Sequence, residues 1–274
     1  MKVYLGACLL ALAVNAMAVG ALQKPSWETL SLRTPESVLV HPLEGRKVLL
    51  VSEIEGGSSD ADGAGGIAML ALDGAVIEQN FVRGLNAPKG MAVFADTLYV
   101  ADITELVAID LGSREVVARY PVAEAVFLND VAVDVKGVVY VSDTRTGKVH
   151  RLVNGNIDLY REGLADANGL YTEGTDLYVG AGTQLLRVAA EGTATLIAEG
   201  FAENIDGVEA IKGGGFIVSC WAGLVYHVDT DGTLNLLLDR RSEKVNTADI
   251  GYDHETHTLY IPSFHGNSVG AYPL

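Results

Sequence analysis

Apolar and polar positions along the chain repeat one phrase six times. A polar residue stands beside a small one, and an apolar run follows. A turn then leads to a second apolar run ending in Tyr-Val or a close variant. The openings are Pro35-Glu36-Ser37-Val38, Pro88-Lys89-Gly90-Met91, Leu128-Asn129-Asp130-Val131, Ala167-Asn168-Gly169-Leu170, Ile205-Asp206-Gly207-Val208 and Thr247-Ala248-Asp249-Ile250. Aligned on Val38, Met91, Val131, Leu170, Val208 and Ile250, they recur at intervals of 53, 40, 39, 38 and 42 residues. A period of about 40 residues holding several short strands is the pattern of propeller blades.

Within each repeat the pattern predicts four strands. In the third repeat the first strand is Val131–Val135, Lys136-Gly137 turns the chain, and Val138–Val141 follows. The equivalent second strands are Lys47–Val51, Thr97–Val100, Asp176–Val179, Gly215–Ser219 and Thr258–Ile261. Third strands are expected at Lys148–Leu152, Leu185–Ala189 and Leu224–Val228. Turns such as Asp73-Gly74, Asn154-Gly155 and Asp231-Gly232 lead into the fourth. Asx-Gly between apolar runs is a strong hairpin signal. The expected fold is therefore all-β: a six-bladed β-propeller with four antiparallel strands per blade. The last repeat ends at Val269–Tyr272 after only three strands, and Trp27–Leu32 has strand character before the first opening. The N-terminal strand is expected to complete the last blade and so remove a free edge.

In a closed propeller the first strands line the central channel, and residues just before them face its mouth. Glu36, Lys89, Asn129, Asn168 and Asp206 then become neighbours, with Asp130 and Asp249 one step further on. The long first interval is due to Glu55–Gly66, rich in Gly, Ser and Asp, which should overhang the same face. It reads as a lid or as a surface loop. Its Asp60-Ala61-Asp62-Gly63 lacks the later ligands of a calcium loop and reads as a turn. Asp102, Asp143, Trp221, Phe264 and His265 follow second strands and should rim the mouth, as substrate contacts or as turn and packing residues.

Composition narrows the partners. The chain has 274 residues, 49% of them hydrophobic, and a formal net charge of −16. Nucleic acid and anionic membranes need a basic patch, so a small molecule and a cation are the better expectation. Lys2, the apolar run Val3–Val14 and Ala16-Met17-Ala18 read as an export signal cleaved after Ala18. Residues 1–18 are thus expected to be removed, leaving residues 19–274 as one periplasmic or secreted domain with no membrane segment. Cys220 is then a lone cysteine, with no partner for an internal disulfide, and reads as a buried small hydrophobe.

Two carboxylates and two carboxamides, Glu36, Asp206, Asn129 and Asn168, offer only oxygen ligands. That set suits one hard divalent cation. Without it, two buried carboxylates would repel, and one would take up a proton. No Gly-x-Ser-x-Gly elbow or phosphate-cradling loop occurs, and His254 with His257 lacks the further ligands of a zinc site.

The segments PESV, GLNAPKGMAV, LNDVAVD, ANGL, IDGVE and TADIGYD with HETHTLYIPSFHGNSV resemble the senescence marker protein, gluconolactonase and strictosidine synthase-like superfamily. The resemblance runs from about Pro35 to the C-terminus. It implies a propeller with one metal in the channel, calcium first, with zinc, manganese or magnesium as alternatives. It further implies Glu36, Asn168 and Asp206 as ligands, Asn129 on metal or substrate, and Asp206 as the catalytic residue. The third opening, Asn129-Asp130-Val131, lacks the glycine usual in gluconolactonases and is nearer to the paraoxonases. Pro88-Lys89-Gly90 has lysine where paraoxonases carry histidine. The activity expected is metal-dependent lactone hydrolysis. Lys89 would stabilise negative charge or position a substrate carboxylate, and Asp130 and Asp249 are alternative bases. A non-catalytic propeller binding a small molecule or protein on the same face is the second expectation.

Overall fold

Six four-stranded antiparallel sheets form a ring in the computed structural model, which describes residues 20–22 and 24–274. The expected export signal lies outside the described residues. The first strands of the blades are Pro35–Leu43, Pro88–Phe94, Leu128–Val133, Ala167–Glu173, Ile205–Ala210 and Gly251–Asp253. The second strands are Arg46–Glu53, Thr97–Asp102, Val139–Asp143, Asp176–Ala181, Phe216–Cys220 and Thr258–Ser263. The sixth sheet takes its outer strand from the N-terminus. Trp27–Leu30 pairs antiparallel with Ser268–Pro273, from Trp27 opposite Ala271 to Leu30 opposite Ser268. Among the described residues the only helical element is the single turn Arg241–Glu243.

The second strands read as nearly continuous apolar runs because both of their faces are covered by neighbouring blades. In blade 1, Val48 and Leu50 pack with Met91, Leu98 and Val100 of blade 2. Leu49 and Val51, one step out of phase, pack with Tyr260, Val269 and Ala271 of blade 6. All four of these strand residues are fully buried. Each such side chain contributes about 1.5–3 kcal/mol by leaving water. The strand periodicity thus produces the ring itself: alternate residues join opposite neighbours.

A bulge recurs where the polar openings sit. Register shifts between Pro35 and Ser37, Pro88 and Met91, Leu128 and Val131, Ala167 and Leu170, and Ile205 and Val208. The sequence placed these polar residues just before the first strands; they lie inside them, at the bulge. The extra residue disrupts the local ladder and re-aims side chains. Orphaned backbone N–H groups are caught by second-strand serines. Ser52 Oγ accepts from Ser37 N at 2.9 Å, Ser142 Oγ from Asp130 N at 2.9 Å, and Ser219 Oγ from Gly207 N at 2.8 Å.

The residue after each polar opening meets the next blade at close range. A side chain on Gly169 would strike the Asp206 carbonyl. One on Gly207 would come within 2.6 Å of Asp249 Oδ1 and 2.7 Å of Ile250 N. Blade 3 has Asp130 at this step. Its Oδ1 accepts Val131 N at 2.6 Å, and its Oδ2 accepts Leu170 N of blade 4. Asp249 likewise joins blades 6 and 1 through the Ser37 hydroxyl.

Candidate functional site

The bulges bring Glu36, Asn129, Asn168 and Asp206 to the wall of one cavity of about 380 Å³ at the mouth of the channel. They arrive from four different blades. Glu36 is 4% exposed and Asp206 2% exposed, so these carboxylates are held away from bulk water. Asn168 Nδ2 donates to Asp206 Oδ1, and Asn129 Nδ2 donates to Thr144 Oγ1 at 3.1 Å. With their amide nitrogens engaged, the carboxamides keep oxygens free of those bonds. Glu36 Oε2 and Asp206 Oδ2 are buried with no hydrogen-bond partner. Buried carboxylate oxygens need a partner. Two of them in one cavity, beside two carboxamides, fit a divalent cation. Among the described residues no group of three or more His, Cys, Asp or Glu is arranged as a metal site; the mouth pairs two carboxylates with two carboxamides.

The electrostatics agree with that fit. Burial, then the Asp206 charge, pushes Glu36 well above the usual carboxylate range, with Lys89 opposing. Burial, then Asp249, lifts Asp206 to about 8, against the hydrogen bond from Asn168. Burial lifts Asp249 to about 7. These acids hold protons in the metal-free folded state that they release in the unfolded chain. The stability of metal-free protein is therefore expected to fall as pH rises from about 4, the unfolded carboxylate range, to about 8. Added cation should restore most of the loss at the upper end. Melting curves in chelator and in metal check this. A flat metal-free profile would contradict it.

The remaining sequence candidates separate. Trp221, Phe264 and His265 line the mouth cavity, with Trp221 and Phe264 edge to face at 5.0 Å between centroids. Lys89 is fully buried beside the cavity. Its Nζ donates to the Ala87 carbonyl at 2.9 Å and lies 4.5 Å from the Phe127 ring centroid. Burial lowers its pKa, while the Glu36 charge counters. Asp130 and Asp249 line a second cavity of about 230 Å³ further down the channel, together with Glu209. Both Asp130 oxygens are occupied by backbone N–H groups. Burial, then Asp249, raises both Asp130 and Glu209 well above the usual carboxylate range.

Asp102 and Asp143 do not reach the cavity. Each is fully buried at the end of a second strand and accepts backbone N–H groups of the loop entering its own blade. Asp102 takes those of Asn86 and Ala87, and Asp143 those of Val126 and Phe127. They are turn anchors because the loop entering the blade leaves unpaired donors above them.

The sequence did not single out Phe127, Thr144, Asp166, Asn204 and Ile205, which also line the mouth. A signal existed for three of them. Asp166 and Asn204 directly precede an opening segment, and Thr144 follows a second strand by one residue. Glu55–Gly66, expected to overhang this face, contributes Ser58 to the cavity wall.

No protein-family model matches the chain, and no curated protein matches it by sequence. Solved structures match the fold. A gluconolactonase from Xanthomonas campestris superposes with a TM-score of 0.68 at 18% identity, covering 89% of this chain and 88% of that one. The virginiamycin B lyase of Staphylococcus aureus, solved with quinupristin, gives 0.65 at 13% identity over 92% and 99%. A chain of a nidogen–laminin complex gives 0.64 at 14% over 76% and 86%. At these identities the likeness establishes the six-bladed architecture.

Proposed function

We propose that this protein is a metal-dependent lactonase, with one divalent cation held by Glu36, Asn129, Asn168 and Asp206. The observation that carries the reading is the pair of partnerless buried oxygens, Glu36 Oε2 and Asp206 Oδ2, on the wall of one mouth cavity with Asn129 and Asn168. A cation bound there would polarise a lactone carbonyl and stabilise the oxyanion that forms when water adds. Calcium is the first choice for an all-oxygen set that includes two carboxamides.

The chain's own groups supply the proton transfer. Asn168 fixes Asp206 Oδ1 and so orients the carboxylate that would ligate the cation, from where it would also take a proton from the attacking water. Water oxygen bonds to the carbonyl carbon, the ring C–O bond breaks, and the proton returns to the departing alkoxide to give a hydroxy acid. Lys89 adds positive charge beside this chemistry from a buried, fixed position. Trp221 and Phe264 offer an apolar wall for the rest of the substrate and exclude water from it.

The test is hydrolysis of sugar, aliphatic and aromatic lactones by metal-loaded protein. Turnover of at least one class is expected, and none would remove the enzymatic reading. The half-exposed Trp221 with Phe264 and His265 favours, as second reading, a propeller that binds a partner over this face without chemistry. Export is proposed with the function: mass spectrometry of protein from the native host should find a mature N-terminus near Val19. An intact Met1 would overturn that assignment.

A further inference from the structure

One cation at the rim has no role in the chemistry above. Arg145 directly follows Thr144, a wall of the mouth cavity. Its guanidinium carbon lies 4.5 Å from the centroid of Phe127, another wall. The side chain is exposed, and among the described residues it has neither a carboxylate partner nor a hydrogen bond. Eight of the eleven arginines, including Arg33, Arg114, Arg119 and Arg187, are paired with carboxylates; besides Arg145, Arg46 and Arg161 are not, among the described residues. With 35 acidic residues to 19 Lys and Arg, an arginine without a carboxylate partner is the minority case, and Arg145 is the one beside the mouth. The aromatic ring positions the guanidinium without neutralising it. Lys89 Nζ lies 4.5 Å from the same centroid, so two cations share one ring. They repel each other, and Lys89 has internal carboxylates, Glu36 and then Asp102, acting to stabilise its charge.

We propose that Arg145 recognises a carboxylate carried by the substrate, which makes the substrate class a lactone bearing a ring carboxylate. A planar guanidinium fork matches a planar carboxylate in a bidentate pair. A single negative charge suits this mouth better than the double charge of a phosphate, because Glu36, Asp166 and Asp206 already line it. With the carboxylate at the exposed rim, the lactone carbonyl extends inward toward Glu36 and Asp206, and the ring face meets Trp221 and Phe264. The reaction rests on the lactonase reading; the recognition does not.

Calorimetric binding separates the two. The probes are pyroglutamate, a γ-lactam with a ring carboxylate that resists opening, and its uncharged amide, each titrated into calcium-saturated protein. The wild type is expected to prefer the carboxylate by about tenfold or more. Arg145→Met, which keeps an unbranched side chain but removes the guanidinium, should abolish that preference. Arg145→Lys should keep part of it, and equal melting temperatures will show that all three proteins fold alike. No preference in the wild type, no binding of either probe, or a preference untouched by Arg145→Met would overturn the proposal. If the preference holds while no lactone is hydrolysed, recognition stands and the enzymatic reading falls. If neutral lactones are turned over but the preference is absent, the enzymatic reading stands and recognition falls.

Discussion

Asp206→Asn, assayed with saturating divalent metal, is expected to lose turnover on the order of a hundredfold or more. Asparagine keeps nearly the same shape but has one side-chain oxygen, so turning it to the cation gives up the acceptor that Asn168 Nδ2 now meets. What it lacks is the charge and the capacity to take a proton. Metal affinity should weaken, and excess metal should restore occupancy. A protein that only binds a ligand here would keep its affinity once the metal is back. Lys89→Met is the companion, since Lys89 is fully buried and methionine preserves its volume. A loss in turnover there assigns charge stabilisation to the ammonium. If metal-saturated Asp206→Asn works at the wild-type rate, Asp206 is a ligand alone and the proton acceptor lies elsewhere.

The second large effect concerns the ring. Gly207→Ala should destabilise the protein by about 2–3 kcal/mol. The new methyl group would lie 2.6 Å from Asp249 Oδ1, 2.7 Å from Ile250 N and 3.0 Å from Asp249 Cα. Backbone atoms of a neighbouring blade cannot step aside without disturbing its bulge. At this chain length the loss corresponds to a fall of about 5–10 °C in melting temperature. Gly112→Ala is the control, because its methyl would meet only Asp110 Oδ1 at 3.4 Å. Equal melting temperatures for Gly207→Ala and the control would show that the blades are not so tightly apposed at the channel.

The blades and their openings were legible because each strand pattern is local and the repeat supplies its own phase. Trp27–Leu30 could be assigned to the last blade because Gly251–Pro273 holds only three strands, and a ring leaves no other place for it. The mouth set was legible for the same reason, since one position per blade maps to one ring of neighbours. Asp102 and Asp143 were not legible as anchors. Their backbone partners sit some 16 residues away in loops of irregular structure, and alternation cannot say which way a strand's last side chain turns. The bulge also escaped. An extra residue in the first strand leaves no mark in hydropathy; the small residue beside each polar one was its only trace. Asp130 and Asp249 break that small-residue rule, and the structure shows why they can: each reaches into the next blade and bonds there. Arg145 lay outside any pattern, because its position depends on the Phe127 ring rather than on the repeat.

The central claim is that one cation at the channel mouth is needed to open a lactone. The direct measurement is a titration. Protein stripped with chelator is supplied with increments of calcium, and in parallel with zinc, manganese or magnesium, while hydrolysis of the best lactone substrate and bound metal are followed together. The account predicts negligible activity in stripped protein and a return of activity that tracks binding of one equivalent of metal. It also predicts that Asp206→Ala fails to bind that equivalent. Full activity in stripped protein, or binding of the equivalent by Asp206→Ala, would contradict it.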